Sequence, residues 1–192
     1  MTDFRLLSAL LQYPEERVLA ARDELRSASD DPRVGAFLDG LGRVPLGDLQ
    51  REYVTTFDFD RRASLYLTYH THGDRRQRGL ELVRLKRRFA AAGLELADDE
   101  LPDYLPALLE FASLAPEGRE PLAELRPSLE LVRGRLHQRE SRYAPLFDAL
   151  VEALPPLTRA QEERARRLAE EGPPSELVGL DPVVTVPEEV AQ

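Results

Sequence analysis

Residues 122–136 read Leu-Ala-Glu-Leu-Arg-Pro-Ser-Leu-Glu-Leu-Val-Arg-Gly-Arg-Leu, and this stretch decides the fold. Its apolar residues recur at steps of three and four, which places on one face of an α-helix Leu122, Leu125, Leu129, Val132 and Leu136. An apolar face of this kind has to be buried against other elements. The stretch therefore predicts a helix packed within a larger helical assembly.

The same periodicity extends over most of the chain. Comparable stripes lie in residues 82–92, 101–112 and 143–154, and shorter helices are predicted at 6–13, 14–28, from 31 and at 48–57. Residues 64–70 are rich in strand-forming side chains, but no second run is available for pairing, so we interpret them as a helix. The predicted fold class is all-α, a single-domain helical bundle of roughly eight or nine helices over residues 1–170.

Two stretches fall outside the predicted bundle. Residues 57–62 are expected to form an ordered, charged connection between helices. Residues 171–192 contain four prolines and several acidic residues, which predicts a flexible, acidic, proline-rich tail. Within the tail, the apolar run Val183–Val186 leaves docking onto the bundle as the alternative.

Composition excludes several classes of protein. The 192-residue chain carries a formal net charge of −9, which argues against a nucleic-acid partner. It has no cysteine, so disulfides, iron–sulfur clusters and thiolate zinc sites are excluded. No apolar run is long enough for membrane insertion, and the first residues lack an export signal. The expected location is the cytoplasm.

The most enzyme-like feature is His70-Thr-His72-Gly-Asp74. Two histidines one residue apart at the end of a strand share a face, and with the aspartate they could hold the metal of a metal-dependent hydrolase. Such a hydrolase needs many strands and more histidines than this chain offers. The alternative is that these side chains form local hydrogen bonds near a helix end.

A basic cluster extends into the helix predicted at 82–92, and an acidic cluster follows that helix. The basic cluster of residues 75–88 reads as a solvated helix face, since it lacks the interleaved aromatic residues of a nucleic-acid site. Five acidic residues follow within positions 95–103. They could cap the next helix, or form an acidic rim that receives a basic, amphipathic peptide.

Two stretches carry a resemblance to a known family. Glu100-Leu-Pro-Asp-Tyr-Leu-Pro106 resembles the Glu-x-Pro-Asp-His motif of the chaperones that mature molybdenum redox enzymes, with Tyr104 in place of the usual histidine. Residues 53–58, 64–75 with Arg78-Gly79, and 88–96 are similar to the nitrate reductase delta-subunit branch, the NarJ-type chaperones. The N-terminal residues 4–17 are also similar to that branch.

The resemblance implies a chaperone, with no catalytic activity and no cofactor of its own. Its implied partner is the N-terminal segment of the nitrate reductase catalytic (alpha) subunit, which it keeps competent for molybdenum cofactor insertion before membrane attachment. Proteins that deliver the molybdenum cofactor are further candidate partners. The alternatives are a chaperone for a related molybdenum oxidoreductase and a helical subunit that stays permanently associated.

On this resemblance we predict a peptide-binding site at the two motif stretches. Its apolar groove would be lined by Leu101, Leu105, Tyr66 and Tyr69. Glu100 and Asp103 beside the groove would meet basic residues of the client. The predicted peptide-binding residues are Tyr66, Tyr69, His70, Arg75, Glu100, Leu101, Pro102, Asp103, Tyr104 and Leu105. In this scheme Arg75 pairs with Asp103 or Asp74 and fixes the loop.

Overall fold

The computed structural model describes residues 3–73, 76–97 and 99–174. Within these ranges the chain forms twelve α-helices and no named strand. They are α1 Phe4–Leu10, α2 Glu16–Ala20, α3 Arg22–Ser27, α4 Pro32–Leu41, α5 Leu46–Tyr53, α6 Leu67–His72, α7 Arg76–Ala91, α8 Leu105–Leu114, α9 Arg119–Glu124, α10 Arg126–Gln138, α11 Ala144–Glu152 and α12 Arg159–Glu171. The π-helical turn Val54–Asp58 follows α5, and the 3-10 turn Pro116–Gly118 precedes α9.

The all-α prediction is confirmed, and the larger helix count has local causes. The helix predicted at 14–28 is divided at Ala21 into α2 and α3, and the stripe from Leu122 is divided at Leu125 into α9 and α10. Pro127 explains the second division, because it has no N–H to donate to the carbonyl of Ala123. That carbonyl accepts a hydrogen bond from Gln161 Nε2 at 2.8 Å instead. A third additional helix, α12, spans residues 159–171 and lies beyond the last predicted apolar stripe.

The core is formed by pairs of packed helices. They are α1 with α8, α10 with α11, α4 with α11, and α12 with α10. The predicted stripe is confirmed, since four of its five residues, Leu122, Leu129, Val132 and Leu136, have no exposed surface and Leu125 is partly buried. Full burial of one such side chain contributes about 1.5–3 kcal/mol relative to exposure.

Side-chain caps fix the start of several helices. Asp31 accepts a hydrogen bond from the N–H of Arg33 at 2.9 Å, with Pro32 as the first residue of α4, as its Asp-Pro sequence predicts. Thr158 and Gln161 form a reciprocal capping box at the start of α12. These caps set the direction in which α4 and α12 leave their preceding loops.

The interpretation of residues 64–70 as a helix is wrong for its first half. Helix α6 begins only at Leu67, and Tyr66 forms an isolated antiparallel bridge with Tyr104. The N–H of Leu105 donates to the carbonyl of Leu65 at 2.8 Å, and the N–H of Leu67 donates to that of Asp103 at 3.0 Å. The pairing partner of this strand-like run is therefore the motif at residues 100–106, which we call the acidic motif.

The predicted connection at 57–62 is ordered within the structure. The π-helical turn reaches Asp58, and Asp60 accepts hydrogen bonds from Arg135 at 2.7 Å and Arg139 at 2.8 Å on α10. Helix α12 ends at Glu171, and residues 175–192 of the predicted tail lie outside the described residues. Across the described ranges, no helix has the length and apolarity that a membrane crossing requires.

Candidate functional site

The two motif stretches meet in space and form the centre of the candidate site. The Tyr66–Tyr104 bridge joins them, and the rings of these two tyrosines lie 5.2 Å apart between centroids with a 32° tilt. Ring pairs at this separation are attractive beyond the area that they bury. The backbone pairing thus fixes two aromatic side chains on one surface.

Asp103 holds this arrangement together from beneath. Its carboxylate is completely buried, and Oδ2 accepts hydrogen bonds from Thr68 N at 3.2 Å, Thr68 Oγ1 at 2.5 Å and Arg78 Nη2 at 3.2 Å. The Arg78 side chain is 15% exposed, so the ion pair is largely withdrawn from water. Removing one member of such a pair leaves a buried charge, which is costly. Asp103 therefore fixes the acidic motif onto α6 and α7.

Tyr104 is anchored by a chain of hydroxyl groups. Tyr53 Oη donates to the carbonyl of Leu11 at 3.1 Å, and it lies 3.1 Å from Tyr104 Oη. A tyrosine hydroxyl has one proton, so Tyr104 must be the donor to Tyr53. Burial raises the pKa of Tyr104 to about 12, so the hydroxyl stays protonated at neutral pH.

On one side of Tyr104 lies a cleft of about 500 Å³, which we call the aromatic cleft. Its wall contains two arginines, and both guanidinium groups lie over the Tyr69 ring, Arg61 at 5.4 Å and Arg78 at 5.8 Å from the centroid. Arg61 also donates a hydrogen bond to the Tyr69 hydroxyl. The full lining is Tyr13, Tyr53, Phe57, Asp58, Arg61, Ser64, Leu65, Tyr66, Tyr69, Arg78 and Tyr104.

On the other side lies a second depression of about 440 Å³, which we call the acidic groove. Four glutamates surround an apolar floor, and no lysine or arginine is found among the described residues of the lining. Burial raises the pKa of Glu100, and the neighbouring charges of Asp99 and Asp103 add to the rise. The full lining is Gln12, Tyr13, Glu15, Phe89, Leu94, Glu95, Leu96, Ala97, Glu100, Tyr104, Pro106, Ala107, Glu110, Phe111 and Leu114.

Tyr13 and Tyr104 line both depressions. The aromatic cleft and the acidic groove are therefore neighbours that share one wall. Their chemistry differs: of the charged residues that the structure describes, two arginines and one aspartate line the first, and four glutamates line the second.

Comparison with known proteins identifies the family. The model of the family described as nitrate reductase delta subunit matches residues 24–149. The chain belongs to this family.

Three relatives agree with this assignment. The nitrate reductase molybdenum cofactor assembly chaperone NarJ of Escherichia coli (strain K12) is 37% identical over 162 residues, covering 79% of this chain and 69% of the relative. The probable chaperone of the same description, NarW, from that organism is 36% identical over 156 residues (79% and 68%). The probable NarJ of Bacillus subtilis (strain 168) is 32% identical over 160 residues (79% and 87%). The resemblance found in the sequence is confirmed.

The predicted site residues of this delta-subunit family member lie in several different settings. Tyr66, Tyr69 and Tyr104 line the aromatic cleft, and Glu100 joins Tyr104 in the acidic groove. Leu101 is 39% exposed but lines neither depression. Inside the protein lie His70, Pro102, Asp103 and Leu105. Arg75 and Asp74 lie outside the described residues.

Two details of the predicted groove are corrected by this burial. Leu105 does not line a groove, because it is fully buried as the first residue of α8. Asp103 does not face outward, because its carboxylate pairs with Arg78. The apolar floor consists instead of residues that sequence reasoning did not select, namely Phe89, Leu94, Leu96 and Phe111, and Leu114 is an exposed part of the lining. The acidic run at 95–103 was the available signal, since it lies beside them in the chain.

Only part of the basic cluster at residues 75–88 forms the solvated helix face that the sequence predicts. Arg78 turns inward to Asp103, while Arg84 and Arg88 form ion pairs with Glu124 on α9, the latter at 2.9 Å. Glu124 lies at the end of α9, so these pairs connect α7 to that helix. Lys86 and Arg87 are exposed.

The two histidines of the candidate metal site both lie in helix α6. His70 is fully buried in α6, and its Nε2 lies 2.8 Å from the carbonyl of Ser64. That nitrogen must carry the proton and donate it, which leaves it unable to bind a metal. Burial lowers the pKa of His70 to about 4. His70 and His72 are both in the helix, where positions i and i+2 diverge, so the strand geometry assumed for a metal site is wrong. Among the described residues, no group of three or more potential ligands is suited to a metal.

Proposed function

We propose that this chain is a nitrate reductase assembly chaperone that binds the N-terminal segment of the catalytic subunit. It holds the apoenzyme competent for molybdenum cofactor insertion and releases it before membrane attachment. The family assignment supports this role, as do relatives whose names describe nitrate reductase molybdenum cofactor assembly chaperones. The role requires binding and release, with no change of a covalent bond.

The acidic groove is the observation that carries the proposal. An apolar floor bordered by four glutamates complements a segment that has an apolar face and basic residues beside it. The net charge of −9 would also accelerate encounter with a basic segment. Glu100 and Tyr104 of the acidic motif contribute to the border that the client would contact.

The groove is also preorganised for this task. Glu100 and Tyr104 are close in sequence to Asp103, which fixes the motif through Thr68 and Arg78. Tyr104 is fixed separately through Tyr53. A wall that is ordered before binding loses less conformational entropy on binding, and affinity rises accordingly.

The test is titration calorimetry of the purified protein with a synthetic peptide that copies the N-terminal segment of the catalytic subunit from the same organism. We expect a dissociation constant near the micromolar range, about −8 kcal/mol, which permits release. The double substitution Glu95→Gln/Glu100→Gln should weaken binding about tenfold, or about 1.4 kcal/mol, because two partly screened charge pairs are lost. Added salt should reduce affinity in the same direction.

The matched control is Glu162→Gln/Glu163→Gln, which removes the same charge from exposed positions of α12 that do not line the groove. It should leave the affinity within about twofold, since distant surface charges are screened. An equal loss with both double variants would place binding elsewhere. Stoichiometric zinc in the purified protein, lost on His72→Ala, would favour the hydrolase and overturn the proposal.

A further inference from the structure

Helix α7 carries an apolar pair on its outward face. The helix buries Leu85 and Phe89, whereas Leu80 and Val83 lie on the opposite side, 67% and 51% exposed. Residues three apart on a helix are neighbours, so these two side chains form one continuous apolar surface. A surface helix normally presents polar side chains to water on this side. Two adjacent large apolar side chains therefore indicate a contact surface.

Basic side chains border this apolar pair. Arg76, Lys86 and Arg87 are all exposed, and none of them forms an ion pair among the residues that the structure describes. The single acidic residue of the helix, Glu81, is partly buried and pairs with Arg84 at 3.3 Å. We call the exposed set the α7 face; it consists of Arg76, Leu80, Val83, Lys86 and Arg87.

The α7 face has the chemistry that the acidic groove is proposed to bind. The groove has four glutamates around an apolar floor, and the α7 face has three cations around two apolar side chains. A helix that lays an apolar face into such a groove is a common mode of recognition, and opposite charges at the border favour it.

The two surfaces cannot meet within one copy of the chain. Phe89 of α7 is itself part of the groove lining. It lies nine residues after Leu80, and at about 100° per residue the two side chains point in opposite directions from the helix. The α7 face of a molecule is therefore turned away from its own groove, and only the groove of another molecule can receive it.

We propose that the α7 face of one copy docks into the acidic groove of a second copy and competes there with the client. The proposal rests on the groove being the client site, and it adds a self-capped state that withdraws both apolar surfaces from water when no client is bound. Copies with a net charge of −9 repel each other at long range. The self-contact should therefore be weaker than client binding, with a dissociation constant of about 100 µM, so that the client displaces it.

Sedimentation velocity of the full chain, from about 10 µM to about 1 mM, measures the association. The average mass of the parent should rise with concentration, and Arg76→Glu/Arg87→Glu should weaken the association at least about tenfold. The matched control is Arg164→Glu/Arg167→Glu, the same charge change on exposed positions of α12, which should alter it less than about twofold. A parent that stays monomeric, or an equal loss in the control, would overturn the proposal.

A mixing experiment tests whether the two surfaces pair with each other. Glu95→Lys/Glu100→Lys reverses charge in the groove and should abolish association as the α7 variant does. An equal mixture of the two variants should associate again, because one partner retains the parent groove and the other retains the parent α7 face. A mixture that remains monomeric would show that the two surfaces are not partners. Binding of the monomeric parent to phosphatidylglycerol vesicles through the α7 face would refute the proposal in favour of a lipid partner.

The client peptide connects the self-contact to the proposed function. Saturating peptide should return the parent to the monomer, and association that persists would show that the α7 face does not occupy the groove. In dilute solution, Arg76→Glu/Arg87→Glu should bind the peptide within about twofold of the parent, since these arginines lie outside the groove. Peptide binding without self-association would reject this inference alone, whereas a dilute parent that does not bind the peptide would reject the proposed function.

Discussion

The acidic motif has an outward side and an inward side that differ in physical role. Glu100 and Leu101 reach solvent or the acidic groove, whereas Asp103 and Leu105 are fully buried. Tyr104 stands between the two sides, with its ring in both depressions and its hydroxyl bonded to Tyr53. Six consecutive residues thus combine a surface for binding with the contacts that hold this surface in place.

This division has a consequence for mutagenesis. A substitution on the inward side changes stability first and binding only as a result, while one on the outward side should change binding with little effect on folding. A triple substitution of Glu100, Asp103 and Leu105 would mix the two effects. Each inward substitution therefore needs a matching outward substitution of the same side-chain type.

The largest effect is expected for Asp103→Ala. The change removes the Asp103 carboxylate from its pair with the largely buried Arg78 guanidinium, and it removes the acceptor of two hydrogen bonds from Thr68. Loss of one partner of a buried pair costs about 3–5 kcal/mol. Urea unfolding should show that loss for Asp103→Ala, against less than about 0.5 kcal/mol for Glu100→Ala. Similar losses for both variants would refute the division.

The apolar pair should follow the same pattern. Leu105→Ala leaves a cavity beneath the motif, because Leu105 has no exposed surface. We expect it to lower the free energy of unfolding by about 3 kcal/mol. Leu101→Ala removes a side chain that is 39% exposed and should cost less than about 1 kcal/mol. Equal midpoints of urea denaturation would show that Leu105 is not a core residue.

His70 is buried on the inward side and should make the free energy of unfolding depend on pH. Burial is the main cause that lowers its pKa from 6.5 to about 4, the bond to Ser64 opposes the shift, and the charge of Arg78 adds to it. The unfolded chain therefore binds a proton between these pH values and the folded chain does not. The contribution, about 3 kcal/mol, is present above pH 6.5 and is lost as the pH falls towards 4.

Urea unfolding at a series of pH values measures this contribution. His70→Gln keeps a donor for the Ser64 carbonyl but does not titrate, so its stability should change less than that of the parent between pH 6.5 and 4. His72→Gln, two residues later in the same helix, is the comparison variant. A parent and a His70→Gln variant with parallel pH profiles would show that His70 is not buried in neutral form.

The sequence predicts the inward side as a pattern but not as a set of contacts. Periodicity identifies the buried stripes, since a helix places every third or fourth residue on one face, and the stripe at 122–136 is confirmed. The sequence places Asp103 beside Glu100 among the acidic residues that would meet the client, with Arg75 as its candidate partner. Its partner Arg78 is 25 residues away in the chain, and no local rule connects the two.

The acidic groove illustrates a different limit. Its floor comes from separate elements, with Phe89 on α7, Leu94 in the following loop and Phe111 on α8. Phe89 and Phe111 lie in stretches that a helical pattern explains equally well as core, and Leu94 lies in a loop where no periodicity applies. Which part of a stripe remains uncovered depends on the lengths and angles of the packed helices, and these are tertiary properties. The strand-like run at 64–66 was misread for the same reason, since its partner lies at 103–105.

The smallest effect on the free energy of unfolding is expected for Tyr104→Phe, because this residue stands between the two sides. The substitution keeps the ring against Tyr66 and removes only the hydroxyl that donates to Tyr53, while Tyr53 retains its bond to Leu11. One such hydrogen bond contributes about 1 kcal/mol. Tyr13→Phe changes the other tyrosine shared by the two depressions, which is 44% exposed, and should cost less than about 0.5 kcal/mol.

Client-peptide affinity should remain within about twofold for Tyr104→Phe, because the aromatic surface is intact. If affinity falls tenfold while stability is unchanged, the hydroxyl belongs to the outward side and Tyr104 binds the client through its polar end.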